Sequence, residues 1–284
     1  MNGAVRSAVA AAGVTWLAGR LLRRAADPVA GWSRDNYRGR TVRLDGGAAV
    51  VVGAAAGVLA APARHSPALV LLGAAALAGG YDDLAAPGRE LAVDKGWRGH
   101  LAALRAGRVS GGAVKVAVIG AASLFAVRAA GGSWRRALPD AALVAATANL
   151  VNLFDLRPGR AGKVALAAGV ITGAGPAAAL SGTVAGAAAA ELPDDLAERT
   201  MLGDLGANAL GALLGLRLAA GGPALRWGAL AVVTALTAAS ERVSFSKVIE
   251  RTPALDTLDQ LGRALPAETL RKQRSAFLRG TPEP

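Results

Sequence analysis

The chain predicts an all-α fold: a polytopic transmembrane bundle of about nine helices, with the N-terminus outside and the C-terminus in the cytoplasm. Three observations carry this. Apolar runs recur along all 284 residues, which are 53% hydrophobic with a mean hydropathy of +0.37. Short Arg-, Gly- and Pro-containing pieces interrupt those runs. Basic residues are also distributed unevenly between alternate connections, as the positive-inside rule requires of a multi-pass protein.

The expected spans are 4–20, 46–62, 67–82, 112–130, 138–154, 163–178, 180–192, 204–220 and 224–240. Residues 8–18 could pass for a signal-peptide core, but Ala-x-Ala triplets occur throughout and a first span is the better reading. The sixth and seventh runs are separated by Gly175-Pro176 and Ser181-Gly182 and would otherwise form one bent element; keeping them apart preserves the alternation. With the N-terminus outside, all 32 basic residues except Arg6, Arg64, Arg128, Arg135, Arg136, Arg217 and Arg226 fall on the cytoplasmic side. Much of the apolar content is Ala and Gly, so each span is weak alone but permits close helix approach. The net charge of +12 sits in loops and suits anionic lipid; no nucleic-acid partner is expected. The absence of Cys excludes disulfides and thiolate metal sites. Residues 1–250 form the membrane domain, and 251–284 a basic cytoplasmic tail with Leu255, Leu258, Leu261 and Leu265 at helical spacing.

Four acids lie at the ends of apolar segments: Asp82, Asp83, Asp155 and Asp204. A carboxylate at a helix centre in hydrocarbon costs about 2.5–3.5 kcal/mol, less near the interface, and such residues mark functional sites. The predicted topology puts all four on the cytoplasmic side. Asp82 and Asp83 close the third span, where the helix dipole favours cations, so a simple cap does not explain them. They suit a Mg²⁺ site or a general base, against the plainer reading of a solvated acid pair. Asn149, Asn152 and Asp155 form a polar stripe beside Arg157, Arg160 and Lys163, either a substrate wall or helix–helix glue. Asp204 opens the eighth span, where an N-cap is an equal competitor. Lys95, His100 and Lys115 belong to a Gly-rich basic loop that suits phosphate binding or anionic lipid.

In order, these motifs are Asp82-Asp83, Lys95-Gly-Trp-Arg-Gly-His100, Gly111-Gly-Ala-Val-Lys115, Asn149-x-x-Asn152-x-x-Asp155 and Gly203-Asp204-x-Gly206. With Asn36-Tyr-Arg-Gly39-Arg40, the set resembles the polyprenyl-phosphate N-acetylhexosamine-1-phosphate transferases, glycosyltransferase family 4, over residues 36–216. The resemblance implies a Mg²⁺-dependent transfer in the plasma membrane, facing the cytoplasm, for cell-envelope glycan synthesis. In it, polyprenyl phosphate attacks the β-phosphate of a UDP-sugar and UMP leaves; a homodimer fits this expectation. It implies catalytic roles for Asp82, Asp83 and Asp155, and metal contacts for Asp204 and Asp83. Substrate contacts fall to Asn149, Asn152, Lys95, His100, Lys115, Arg157, Arg160 and Lys163. Two departures stand out: the family's second Asp after Asp155 is Pro158 here, and its His-rich last loop is absent. They favour an alternative, a non-catalytic relative that binds the lipid as a scaffold. A transporter would place its acids nearer mid-bilayer.

Overall fold

A computed structural model describes residues 2–25, 32–62, 65–85, 96–175 and 177–264. Each of the nine apolar runs coincides with a helix. These are α1 (Gly3–Arg24), α2 (Asp45–Leu59), α3 (Ser66–Ala85), α5 (Gly111–Ala129), α6 (Trp134–Phe154), α7 (Arg160–Ile171), α8 (Ala178–Leu196), α9 (Gly203–Ala219) and α10 (Pro223–Ser240). The sixth and seventh runs are separate helices: α7 stops well short of residue 178, and Gly175 and Ala177 adopt left-handed backbone between them. Among the described residues, α12 (Pro253–Gln260) carries Leu255 and Leu258 of the tail's expected helical pattern, whereas α4 (Gly96–Arg105) and α11 (Phe245–Arg251) were not anticipated. Nor was a hairpin of β1 (Ser33–Asp35) and β2 (Thr41–Arg43), whose turn places Gly39 at φ +69.

The bundle is built around α9, in which every residue except Asp204 and Leu205 is buried. It packs against α2, α3 and α6. Small residues make this possible: a Cβ on Gly211 or Gly215 would overlap the backbone of α6. Leu71, Leu143, Leu210, Leu213, Val50 and Val144 fill the remaining core. At the periphery, α10 buries only Arg226 and Val233.

Among the described residues, two helices are long and apolar enough to cross a membrane, α5 and α6, with mean hydropathy 1.6 and 1.4. α2 is apolar but shorter. The fold is thus all-α in class. The helices α2 (15 residues), α7 (12) and α9 (17) are short for a span, and the longer remaining ones are weakened by Gly and charged residues.

The pole that gathers the acids is defined by contacts between helix ends. Arg23, at the end of α1, pairs with Asp194 at the end of α8 at 2.7 Å. Arg43 and Asp45, before and at the start of α2, pair at 2.9 Å. Asp83, near the end of α3, meets the start of α9. The opposite pole carries Arg217 of α9, whose guanidinium donates to the carbonyls of Thr172 (3.1 Å) and Ala174 (2.6 Å) after α7.

Candidate functional site

At the acidic pole lies a cleft of about 590 Å³ lined by Arg34, Asn152, Asp155, Arg157, Asp195, Glu198 and Asp204, with Tyr37, Ser244 and Ser246 at its margin. The hairpin forms one wall. Its anchor is Glu198, whose fully buried carboxylate accepts from Asn36 (2.9 Å), Arg38 (2.6 Å) and Arg40 (3.4 Å). Two strand-like hydrogen bonds complete the attachment, Arg43 N–H to Arg199 O (3.2 Å) and Met201 N–H to Arg43 O (2.9 Å).

Asp83 is buried, and its carboxylate accepts the backbone N–H groups of Asp204 (3.2 Å) and Leu205 (2.9 Å). The dipole it meets is therefore the favourable one, the start of α9, although it lies at the end of α3. Two glycines allow this approach. A Cβ on Gly79 would overlap the Asp204 carbonyl, and Gly203, at φ +60, would bring a Cβ against the Asp83 carboxylate. Asp83 lies past the apolar stretch that ends at Gly80. Burial pushes its carboxyl up to about 6, with the Asp204 charge adding and the two N–H donors and Arg34 opposing. With each oxygen accepting one backbone N–H, Asp83 is the cap of α9.

Asp82 and Asp204 share one cation: the Lys115 ammonium lies 2.8 Å from Asp82 and 2.5 Å from Asp204. Lys115 is positioned at the start of α5 by Ser110, whose side chain caps Ala113 N–H at 3.3 Å and shares a 2.8 Å hydrogen bond with His100. His100 packs against Gly112 and so supports this helix start rather than lining the cleft. Lys95 lies outside the described residues.

Asp155 ends α6 and Asp195 lies near the end of α8, beyond the apolar runs. The Gly203 N–H serves the Asp155 carboxyl, and the Gly159 N–H serves that of Asp195. Oδ2 of each is sealed from solvent without a hydrogen-bond partner. Desolvation raises the proton affinity of both carboxyls; that of Asp155 is raised further by Asp195, Asp204 and Asp83. Buried carboxylate oxygens of residues beside a cleft are satisfied by a proton or by a hard divalent cation, and an all-oxygen donor set suits Mg²⁺. No group of three or more His, Cys, Asp or Glu side chains among the described residues forms a ready metal cage. Such a cation would take its remaining ligands from water and phosphate, as Mg²⁺ commonly does.

Arg157 lines the cleft, its guanidinium 4.1 Å from the Tyr37 ring centroid and 3.2 Å from Glu250. Asn152 lines it too, whereas Asn149 does not. Arg160 and Lys163 are placed differently from the expected substrate wall. Arg160 is 3% exposed and forms two 2.8 Å bonds to Asp259, while Lys163 donates to the carbonyls of Leu258 (3.0 Å) and Asp259 (2.7 Å). They hold the C-terminal segment, because a buried Arg needs a fixed anion and Asp259 of α12 supplies it.

Sequence reasoning missed Asp195 and Glu198. A signal existed for Asp195: Asp194-Asp195 follows an apolar run in the same way as Asp82-Asp83. Glu198 carried none, being an ordinary loop acid until its left-handed backbone (φ 56) turns it under the hairpin.

No family model, curated protein or solved structure matches the chain.

Proposed function

We propose that the protein is an integral membrane transferase that moves a sugar-1-phosphate from a UDP-sugar to polyprenyl phosphate at the cytoplasmic leaflet. The carrying observation is the cleft itself. It gathers Asp155, Asp195 and Asp204 with Asn152, Arg34 and Arg157 from separate helices and the hairpin, in keeping with the motif order that resembles such transferases.

The surface supports a bilayer setting. Val5, Val9, Leu17, Val52, Val70, Leu77, Val116, Phe125, Val170, Ile171 and Val232 all point outward. Apolar exteriors of this extent mark contact with lipid or protein. Trp134 and Trp227 are exposed toward the pole opposite the acids, and Tyr37 and Tyr81 at the acidic one, as in interfacial aromatic belts.

In this reading two anionic substrates must be held together against repulsion, which Arg34, Arg157 and Lys115 offset from the protein side. Arg157, stacked on Tyr37, orients the diphosphate. An oxygen of the lipid phosphate forms a bond to the β-phosphorus, and the bond from that phosphorus to the UMP oxygen breaks, with UMP keeping the electron pair. Asp155, on the cleft wall, would hold Mg²⁺, with water and phosphate among its other ligands. When bound, the ion would neutralise charge building on the departing phosphate. Asp82 and Asp204 position the Lys115 ammonium for the lipid phosphate.

The test is UMP release from a panel of UDP-sugars with undecaprenyl or decaprenyl phosphate and Mg²⁺, with the lipid product identified by mass. Asp82→Asn, Asp155→Asn and Asp204→Asn are each expected to abolish release in folded protein; normal turnover in any two rejects the assignment. The Lys115 bridge and Pro158 favour a second reading, a lipid-binding scaffold in which the acids are neutralised internally. A scaffold would not bind nucleotide sugar in a Mg²⁺-dependent way.

A further inference from the structure

We infer that Asp195, reaching in from α8, forms with Asp155 the protein's seat for a divalent cation in the cleft. The inference rests on the transferase reading only for the phosphates that would fill the remaining coordination positions.

The acids of this pole differ in which oxygens are left without a partner. Asp83 has both carboxylate oxygens against backbone N–H donors at the start of α9. Asp82 and Asp204 each hold the Lys115 ammonium. Glu198 is saturated by Asn36, Arg38 and Arg40. Asp155 and Asp195 differ from all of these, since Oδ2 of each is buried with no partner while both residues line the cleft. Asp195 is itself only 3% exposed. The nearest cations do not fill it. Arg263 is taken by Asp259 (2.7 Å) and by the Pro158 carbonyl (2.9 Å), and Lys163 by two carbonyls of α12. Carboxylate oxygens buried without a partner are costly unless a proton or a cation satisfies them. The two backbone donors, Gly159 and Gly203 N–H, hold the carboxylates in place, as outer hydrogen bonds do for metal ligands.

Mn²⁺ is the probe, titrated into the full-length protein in detergent and followed by the loss of the free-ion electron paramagnetic resonance signal, with no nucleotide sugar present. One bound Mn²⁺ is expected. Asp155→Asn and Asp195→Asn should each weaken it at least about tenfold, while Asp140→Asn, at the opposite pole, should leave it unchanged. Wild-type affinity in Asp195→Asn overturns the inference, as does a wild-type protein that binds no Mn²⁺. A second measurement needs no variant: Fe²⁺ with ascorbate and peroxide should cut the wild-type backbone near residues 153–160 and 193–204. Cutting confined to other segments overturns the inference as well. Normal UMP release with wild-type Mn²⁺ binding in Asp195→Asn removes the inference alone. Mn²⁺ binding as expected, with no UMP release from any UDP-sugar, removes the transferase reading and leaves the cation seat.

Discussion

Adjacent aspartates with near-identical sequence surroundings do different work here. Asp82 is partly exposed and paired with Lys115, whereas Asp83 is buried and caps a helix 121 residues away. Removing Asp83 strands two N–H groups at the start of the most buried helix. Asp83→Ala is therefore expected to cost roughly 1–2 kcal/mol, the loss of an N-cap. Asp82→Ala leaves Lys115 paired with Asp204 and should cost less. Thermal unfolding in detergent, followed by Trp fluorescence, ranks them; equal losses would contradict the capping role. The pH dependence has a definite sign. The Asp83 carboxyl titrates near about 6 when folded, above its ordinary value, so the folded protein holds a proton that the unfolded chain has released. The corresponding stabilisation is complete below pH about 4 and is lost as pH rises to about 6. In Asp83→Asn that slope should vanish from the difference between unfolding curves at pH 4 and pH 7.

Between helices, the arrangement depends on pairs that no local pattern announces. The nine apolar runs, their acidic ends and the separation of α7 from α8 were legible, because periodicity, Gly-Pro punctuation and terminal acids are local signals. The partners of Arg160 and Lys163 were not: Asp259 lies 99 residues beyond Arg160 and looks like any exposed acid of an amphipathic helix. Only packing decides that Asp259 faces inward while Leu255, Leu258 and Leu261 face out. Leu265 and the rest of the tail lie outside the described residues. The ion pair makes α11 and α12 a docked flap beside the cleft, helped by stacking of Phe245 on Phe154 at 5.1 Å. Asp259→Ala leaves Arg160 buried without an anion, a loss of about 3–5 kcal/mol by comparison with other broken buried pairs. Trypsin should then cut after Arg251 and Arg263 much faster than in the wild type, with the bundle intact. The Arg160 and Arg263 charges hold the Asp259 carboxyl below its ordinary range, against the effect of burial. Docking strength is thus present throughout pH 7 to 4 and falls only as pH drops through that lowered value. Rapid cutting of the wild type at pH 5 would contradict this.

Taken as one body, the protein separates its chemistry by pole. Carboxylates, hairpin and cleft gather at one end, small residues fill the middle, and large apolar side chains point outward. The reversal of a water-soluble pattern is clearest in α10, whose Leu225, Trp227, Val232 and Leu236 are all exposed while its buried residues include Arg226, paired with Asp140 at 3.2 Å. That distribution suits the proposed bilayer setting, where exposed aliphatic side chains cost nothing and a paired inward charge is tolerated. On the proposed membrane reading, orientation follows from charge, since the basic loops accompany the acidic pole and the positive-inside rule would assign that pole to the cytoplasm. The chain contains no Cys, so single-cysteine variants report accessibility without background. Ser133→Cys, in the exposed turn before α6, should react with a membrane-impermeant maleimide in intact cells. Thr252→Cys, exposed between α11 and α12, should react only after the membrane is opened. The reverse pattern would move the cleft to the outer face, where the UDP-sugar of the proposed reaction is not supplied. Labelling of both positions in intact cells would remove the helices between them as an odd number of crossings, and the reading of one sided active pole would go with it.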